Sequence, residues 1–147
     1  MIWLNTFFLE NQIDLLSYYG VSIEEAIMHT IEDSDRLESA LIQLATDNDL
    51  DRLFRPLDNN ETGMSLLQKD KARLKNRPFH SSWLRIYAIR LSNGAYIITG
   101  GTFKLTHTMA EREHTQAELD KIERVRNYLL SEHIIDDESF IDYIAEL

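Results

Sequence analysis

The segment 83–99, WLRIYAIRLSNGAYIIT, constrains the fold of this chain more than any other part of the sequence. β-Branched and aromatic residues dominate its two short runs, and such residues favour strands. The Asn93-Gly94 pair between the runs is typical of a tight hairpin turn, in which both central residues take a positive φ. The segment therefore predicts a β-hairpin, and Gly100 and Gly101 are expected to end, bulge or kink its second strand.

Helical patterns flank the hairpin on both sides. Ser22 begins a capping box, S-x-x-E. The apolar residues after it recur at helical spacing to about Thr46, which predicts one long helix or two consecutive ones. Thr115 begins a second box, T-x-x-E, before a helix predicted over about 116–131. The run at 2–9, IWLNTFFL, fits a short strand or a helix, because short apolar runs do not separate the two.

Two further segments complete the pattern. Residues 49–58, DLDRLFRPLD, predict a helical turn that ends at Pro56. Asp136 or Asp137 is expected to cap a last helix, and the apolar residues expected to face inward from it are Phe140, Ile141 and Ile144.

The order of these elements predicts an α+β fold. N-terminal helices precede a small antiparallel sheet with its hairpin at 83–101, and C-terminal helices pack on that sheet. A chain of 147 residues is long enough to bury a core as one domain, 1–147. We expect an acidic helical part at 1–62, with the basic sheet and the C-terminal helices at 63–147.

Charge is divided unevenly along the chain. Residues 1–63 carry 13 acidic and three basic side chains, residues 64–112 carry two and nine, and residues 113–147 carry ten and three. The net charge of −10 argues against binding to phosphates, yet a confined basic block is a feature of polyanion-binding faces. The other interpretation is a basic sheet packed beside acidic helices.

Several classes of protein are disfavoured by what the sequence lacks. It has no cysteine, so disulfides and thiolate metal sites are excluded. Its five histidines lack metal-ligand spacing, and it contains no P-loop, no Rossmann fingerprint and no G-x-S-x-G, so we expect no metal and no cofactor. The N-terminus does not resemble a signal peptide and no apolar run is long enough for a membrane helix, which predicts a soluble cytoplasmic protein.

Basic residues in and around the hairpin are the candidate site. Adjacent strands bring such side chains within about 5 Å, where they could bind phosphates and stabilise a negative charge on phosphorus. The candidate bases are Lys69, Lys71, Arg73, Arg85, Arg90 and Lys104. His107 and His114 follow the second strand and suit proton transfer near neutral pH. Arg90 lies on an apolar strand face and could instead be a structural ion-pair partner.

The segment LRIYAIRLSNGAYIITGGTFKLTHTM, with TQAELDKIERVRNYL after it, resembles the C-terminal half of RelE/HigB-type bacterial toxins of the RelE/ParE superfamily. The matching positions are Arg85-Ile86-Tyr87, Ile97 through Lys104, and Thr115 with Glu118. The sequence also resembles uncharacterised proteins of bacterial mobile elements that share the ITGG segment.

The resemblance implies a metal-independent endoribonuclease that cuts messenger RNA, mostly on the ribosome, and is silenced by a cognate antitoxin protein. It places the strand arginine of the family on Arg85 and the base after the strand on Lys104. His107 or His114 would then move the proton of the attacking 2′-hydroxyl, and Lys69, Lys71, Arg73 and Arg90 would hold RNA. The alternative is a non-catalytic protein-binding module of a mobile element on the same scaffold, or a plain structural component.

Overall fold

Helices and strands follow the predicted order in this computed structural model, with helices first, then a sheet, then helices. The structure describes residues 2–57, 66–105 and 109–147. The helices are α1 (Ile2–Glu10), α2 (Gln12–Asp14), α3 (Ile23–Thr46), α4 (Met109–Ser131) and α5 (Asp137–Ala145). A π-helical turn, Leu15–Tyr19, follows α2, and a 3-10 turn, Leu50–Arg52, follows α3. The α+β prediction is confirmed.

The strands form one antiparallel sheet in the order β1-β2-β3-β4. They are β1 (Phe54–Pro56), β2 (Lys69–Ala72), β3 (Leu84–Arg90) and β4 (Tyr96–Phe103). Strands β3 and β4 pair from Leu84 opposite Phe103 to Arg90 opposite Tyr96, which confirms the predicted hairpin. Each strand pairs with the next along the chain, so the sheet is a meander.

The hairpin turn differs from the predicted two-residue turn. The Leu91 carbonyl accepts a hydrogen bond from the Gly94 N–H at 3.0 Å, and the Leu91 N–H donates to the Ala95 carbonyl at 2.7 Å. Gly94 has a φ of 79°, whereas Asn93 does not take a positive φ. These contacts describe a three-residue loop, a turn followed by a left-handed glycine, which is the next most common hairpin connection.

Side chains of β3 alternate between two cores. Tyr87 and Ile89 are buried in a cluster with Ile122 of α4, whereas Ala88 is buried in another cluster against which Leu41 of α3 packs. Successive strand residues point to opposite faces. The sheet is therefore covered by α4 on one face and by the later turns of α3 on the other. Leu119 and Val125 of α4 also pack against the cluster of Ile122, so the predicted packing of a C-terminal helix on the sheet is confirmed.

Helix α1 and the residues on either side of the hairpin form a third core. Phe8 of α1 is fully buried, and its ring centroid lies 5.6 Å from that of Trp83. Leu105, just after β4, is also fully buried in this cluster. The apolar run at 2–9 is thus a helix that covers one end of the sheet, which resolves the strand-or-helix alternative.

Helix caps were predicted correctly at two positions. Ser22 Oγ accepts from the Glu25 N–H at 3.2 Å, and the pattern after it forms the single helix α3. Asp136 Oδ1 accepts from the Ser139 N–H at 2.8 Å and begins α5. Both caps satisfy N–H groups that have no partner within the helix.

Three local predictions were wrong. Helix α4 begins at Met109, so the T-x-x-E box at Thr115 lies inside it and caps nothing. The helical turn predicted in 49–58 is present as the 3-10 turn, but it ends at Arg52 and strand β1 occupies the residues up to Pro56; a three-residue strand carries too little alternation to be recognised. On α5, Ile141 and Ile144 are 63% and 50% exposed rather than inward-facing, while Phe140 packs against the α4 core.

The glycine pair of the ITGG segment is required by close packing. Both glycines lie inside β4, and the bulge falls at Thr99, between the paired residues Ile98 and Gly100. A Cβ atom at Gly100 would collide with the Glu118 carboxylate of α4, and one at Gly101 would lie 2.7 Å from the Arg85 backbone oxygen. The pair therefore allows α4 and β3 to approach β4 closely.

Substituting Gly101→Ala is expected to lower the free energy of unfolding by about 1–3 kcal/mol, because the new methyl group meets fixed backbone and β4 must shift. Gly100→Ala is the matched control, since its Cβ meets the flexible ends of Glu118 and Lys121. Urea unfolding of both variants measures the difference. An equal or smaller loss for Gly101→Ala would contradict this packing.

Candidate functional site

A groove of about 410 Å³ crosses the sheet from β1 to the residue after β4. Among the described residues, nine line the groove, of which six are basic and none is acidic. The lining residues are Leu53, Arg55, Pro56, Lys71, Ala72, Arg73, Lys75, Arg85 and Lys104. We call this feature the basic groove.

Strand register explains why these bases meet. Arg55 lies opposite Lys71, and Lys71 lies opposite Tyr87, so the three side chains share one face of the sheet. Arg85 precedes Tyr87 by two residues and falls on the same face. Lys104 extends the pairing of β4, since its N–H donates to the Trp83 carbonyl at 2.7 Å. Four consecutive segments thus each contribute a positive charge to one row.

Five of the six groove bases have no ion-pair partner among the side chains that the structure describes. Within 2–57, 66–105 and 109–147, none of the groove bases other than Arg85 has a carboxylate oxygen within 4.0 Å; these are Arg55, Lys71, Arg73, Lys75 and Lys104. Burial, followed by repulsion from Lys104 and Arg85, lowers the pKa of Lys71 below its ordinary value. A cluster of like charges of this kind attracts anions.

Arg85 is held in place by backbone. Its Nη1 donates to the Ser82 carbonyl at 2.6 Å and to the Leu84 carbonyl at 2.9 Å. The side chain is half-buried, and Ser82 beneath it is buried. A guanidinium fixed by two carbonyls loses little further freedom when it binds an anion, so Arg85 is pre-organised.

The predicted bases divide into two groups. Lys71, Arg73, Arg85 and Lys104 line the basic groove. Lys69 does not line it, and its Nζ lies 2.7 Å from Glu123 Oε2 on α4. Arg90 does not line it either, and its Nη2 lies 3.9 Å from Asp51 Oδ2, as the ion-pair alternative expected.

His114 is not among the described residues that line the groove. His114 lies on α4 and lines a neighbouring cleft of about 490 Å³, together with Arg85. His107 lies outside the described residues. The positioning of a histidine against the groove therefore stays a prediction for His107.

Two groove bases were not predicted from the sequence. Arg55 was missed because β1 was taken for a helical turn, and strand pairing with Lys71 brings it into the row. Lys75 follows β2 in the run KDKARLK. The alternating bases of that run, at positions 69, 71, 73 and 75, were a period-2 signal for a charged strand face.

Neither a metal centre nor a membrane helix is found among the residues that the structure describes. No group of three or more potential ligands is close enough to hold a metal ion there. No helix in the same residues is long and apolar enough to cross a membrane.

Comparison with known proteins gives a clear result. No protein-family model, curated protein or solved structure matches this chain. The functional argument for this protein therefore depends on the basic groove and on its own residues.

Replacing Lys71 by glutamine is expected to stabilise the protein by about 0.5 kcal/mol at pH 7, because it removes repulsion from like charges. The folded-state pKa of Lys71 is lowered, so its charge destabilises the folded state at neutral pH and ceases to do so as pH rises above the unfolded value of 10.5. Thermal and urea unfolding at pH 7 measure the effect.

Lys69→Gln is the matched control two residues away. Its ion pair with Glu123 stabilises the fold, so this substitution is expected to lower stability by up to about 1 kcal/mol. Losses of equal size from both variants would mean that Lys71 is a structural residue and not part of an anion site.

Proposed function

We propose that this protein binds the phosphate backbone of single-stranded RNA in the basic groove and cleaves it without a metal, as RelE/HigB-type toxins do. The observation that carries the proposal is the row of six bases, with no acidic residue among the described residues of the groove lining. In a chain with a net charge of −10, six cations concentrated in one groove favour the binding of a polyanion there.

Arg85 and Lys104 would stabilise the charge that develops on phosphorus, because they lie in the same groove and Arg85 is held by two carbonyls. The 2′-oxygen attacks phosphorus and the bond to the 5′-oxygen breaks, which leaves a 2′,3′-cyclic phosphate. His107 or His114, the predicted proton-transfer residues, would accept the 2′-hydroxyl proton, and Lys104 would donate one to the leaving oxygen.

The test is incubation of the purified protein with single-stranded RNA in EDTA, with the termini of the fragments identified. The proposal expects fragments with 2′,3′-cyclic phosphate and 5′-hydroxyl ends, and none from the same RNA carrying 2′-O-methyl groups. Retention of intact RNA under conditions in which the protein is bound to it would contradict the cleavage step.

The second candidate is a non-catalytic binding module of a mobile element. One observation favours it: no histidine or carboxylate is among the described residues that line the groove. Under this candidate the groove holds RNA or an acidic partner protein without breaking a bond. An acidic antitoxin that covers the groove is a partner common to both candidates, since the six bases fit its charge.

A further inference from the structure

The cleft beside the basic groove is mostly apolar and is formed by three elements. Leu37 and Leu41 of α3 form one wall, and Leu84, Ile86 and Phe103 of the hairpin form another. Its volume of about 490 Å³ falls within the range of small-molecule sites. The polar residues that the helices contribute to its lining are Ser34 and Glu38 of α3 and His114 and Glu118 of α4, and the hairpin adds Arg85 and Thr102.

Gly101 lines this cleft and lies directly opposite Ile86 in the β3–β4 pairing. The same residue cannot carry a Cβ because of the Arg85 backbone oxygen. The ITGG segment therefore contributes Gly101 to a cleft that Arg85 of the basic groove also lines.

Arg85 lines both cavities. A ligand that spans them would place an anionic group among the groove bases and a planar apolar group in the cleft. A nucleotide has this composition, and unstacked bases of single-stranded RNA are bound between apolar and aromatic side chains.

Glu38 is a polar side chain of the cleft that can hydrogen-bond to the edge of such a base. It is exposed on α3, and no lysine or arginine lies within 4.0 Å of it among the described residues. Glu118, by contrast, already pairs with Lys121 at 3.0 Å. A carboxylate only accepts hydrogen bonds, so it favours a base edge with two adjacent donors. Guanine offers two such donors, its ring N–H and its amino group, whereas the other bases place an acceptor beside their donor.

We propose that the cleft between α3 and the hairpin binds one unstacked base of the RNA held in the basic groove, with a preference for guanine read by Glu38. This inference rests on the proposed function, because it assumes that RNA occupies the groove. It adds a base-specific subsite to a phosphate-binding surface.

The test uses two labelled hexanucleotides with 2′-O-methyl groups, which cannot be cleaved: hexauridylate and the same strand with one guanosine. Their phosphates are identical. The guanosine strand is expected to bind wild-type protein about tenfold more tightly, which is within the usual range for one recognised base. Glu38→Gln is expected to abolish this preference while leaving the affinity for hexauridylate unchanged.

Two further variants separate the cleft from the groove. Ser34→Trp, at an exposed position of the cleft lining, should fill the cleft and also abolish the preference. Lys104→Ala should weaken both strands equally and keep the preference. Equal wild-type affinity for the two strands would overturn the base subsite while leaving groove binding in place. Failure of both strands to bind would overturn groove binding itself.

Discussion

Expression of this protein in a bacterium is expected to arrest growth and degrade messenger RNA, and either Lys104→Ala or Arg85→Ala is expected to relieve the arrest. A transition-state charge that loses one pre-organised donor typically forms about 10²–10³-fold more slowly. Lys104 is exposed, so its removal should leave stability within about 0.5 kcal/mol. Growth curves and fragment analysis of a reporter message measure the effect.

Arg85→Ala needs a separate check of folding, because Arg85 also donates to the carbonyls of Ser82 and Leu84. Thermal melting supplies that check. The variant Arg85→Lys keeps the positive charge but lacks the planar guanidinium group with its several N–H donors. Arg52→Ala is the matched control, since Arg52 is an exposed base that pairs with Asp49 outside the groove. The double variant Arg85→Ala, Lys104→Ala should lose no more cleavage activity than the more severely affected single variant, because both side chains act on one phosphoryl group. His107→Ala and His114→Ala test the remaining histidine prediction, in which only one of them matters.

Arg77→Ala is expected to lower the free energy of unfolding by about 3–5 kcal/mol. Arg77 Nε donates to Asp33 Oδ1, and Nη2 lies 3.9 Å from Glu32 on the same helix. Asp33 is 3% exposed in the middle of α3, so removal of Arg77 leaves a buried carboxylate without compensation. A loss of this size is a large part of the 5–15 kcal/mol that stabilises an ordinary domain.

Urea unfolding compares this variant with two others. Arg77→Ala combined with Asp33→Asn should recover part of the loss, because the buried charge is then absent. Arg73→Ala, four residues earlier in the groove, should change stability by no more than about 0.5 kcal/mol. If Arg77→Ala lowers the free energy of unfolding by less than about 1 kcal/mol, the Asp33 carboxylate has another partner that compensates its charge.

Sequence patterns predicted the elements that carry strong local signals. The hairpin has a period-2 alternation and a glycine turn, and α3 and α5 have caps at Ser22 and Asp136. Strand β1 has only three residues and was missed, and the capping box at Thr115 competed with a helix that starts six residues earlier. Tertiary packing overrides a local capping motif where the helix can extend beyond that motif.

The candidate site was predictable where it followed from strand alternation. Lys71, Arg73, Arg85 and Lys104 were identified and lie in one groove, while Lys69 and Arg90 have ion-pair partners that alternation cannot reveal. Lys69 pairs with Glu123, which is 54 residues away, and only the packing of α4 brings them together. Similarly, Arg55 enters the groove through the pairing of β1 with β2.

The central claim is that the basic groove holds RNA phosphates, and the salt dependence of RNA binding tests it most directly. For single strands the slope of log affinity against log salt is about −0.7 per neutralised phosphate. Wild-type protein is expected to bind hexauridylate with a steep slope, and the double variant Arg73→Gln, Lys104→Gln with a slope shallower by about 1.4. Arg52→Gln should leave the slope unchanged. A double variant with the wild-type slope, or wild-type protein that binds no RNA at low salt, would contradict the account.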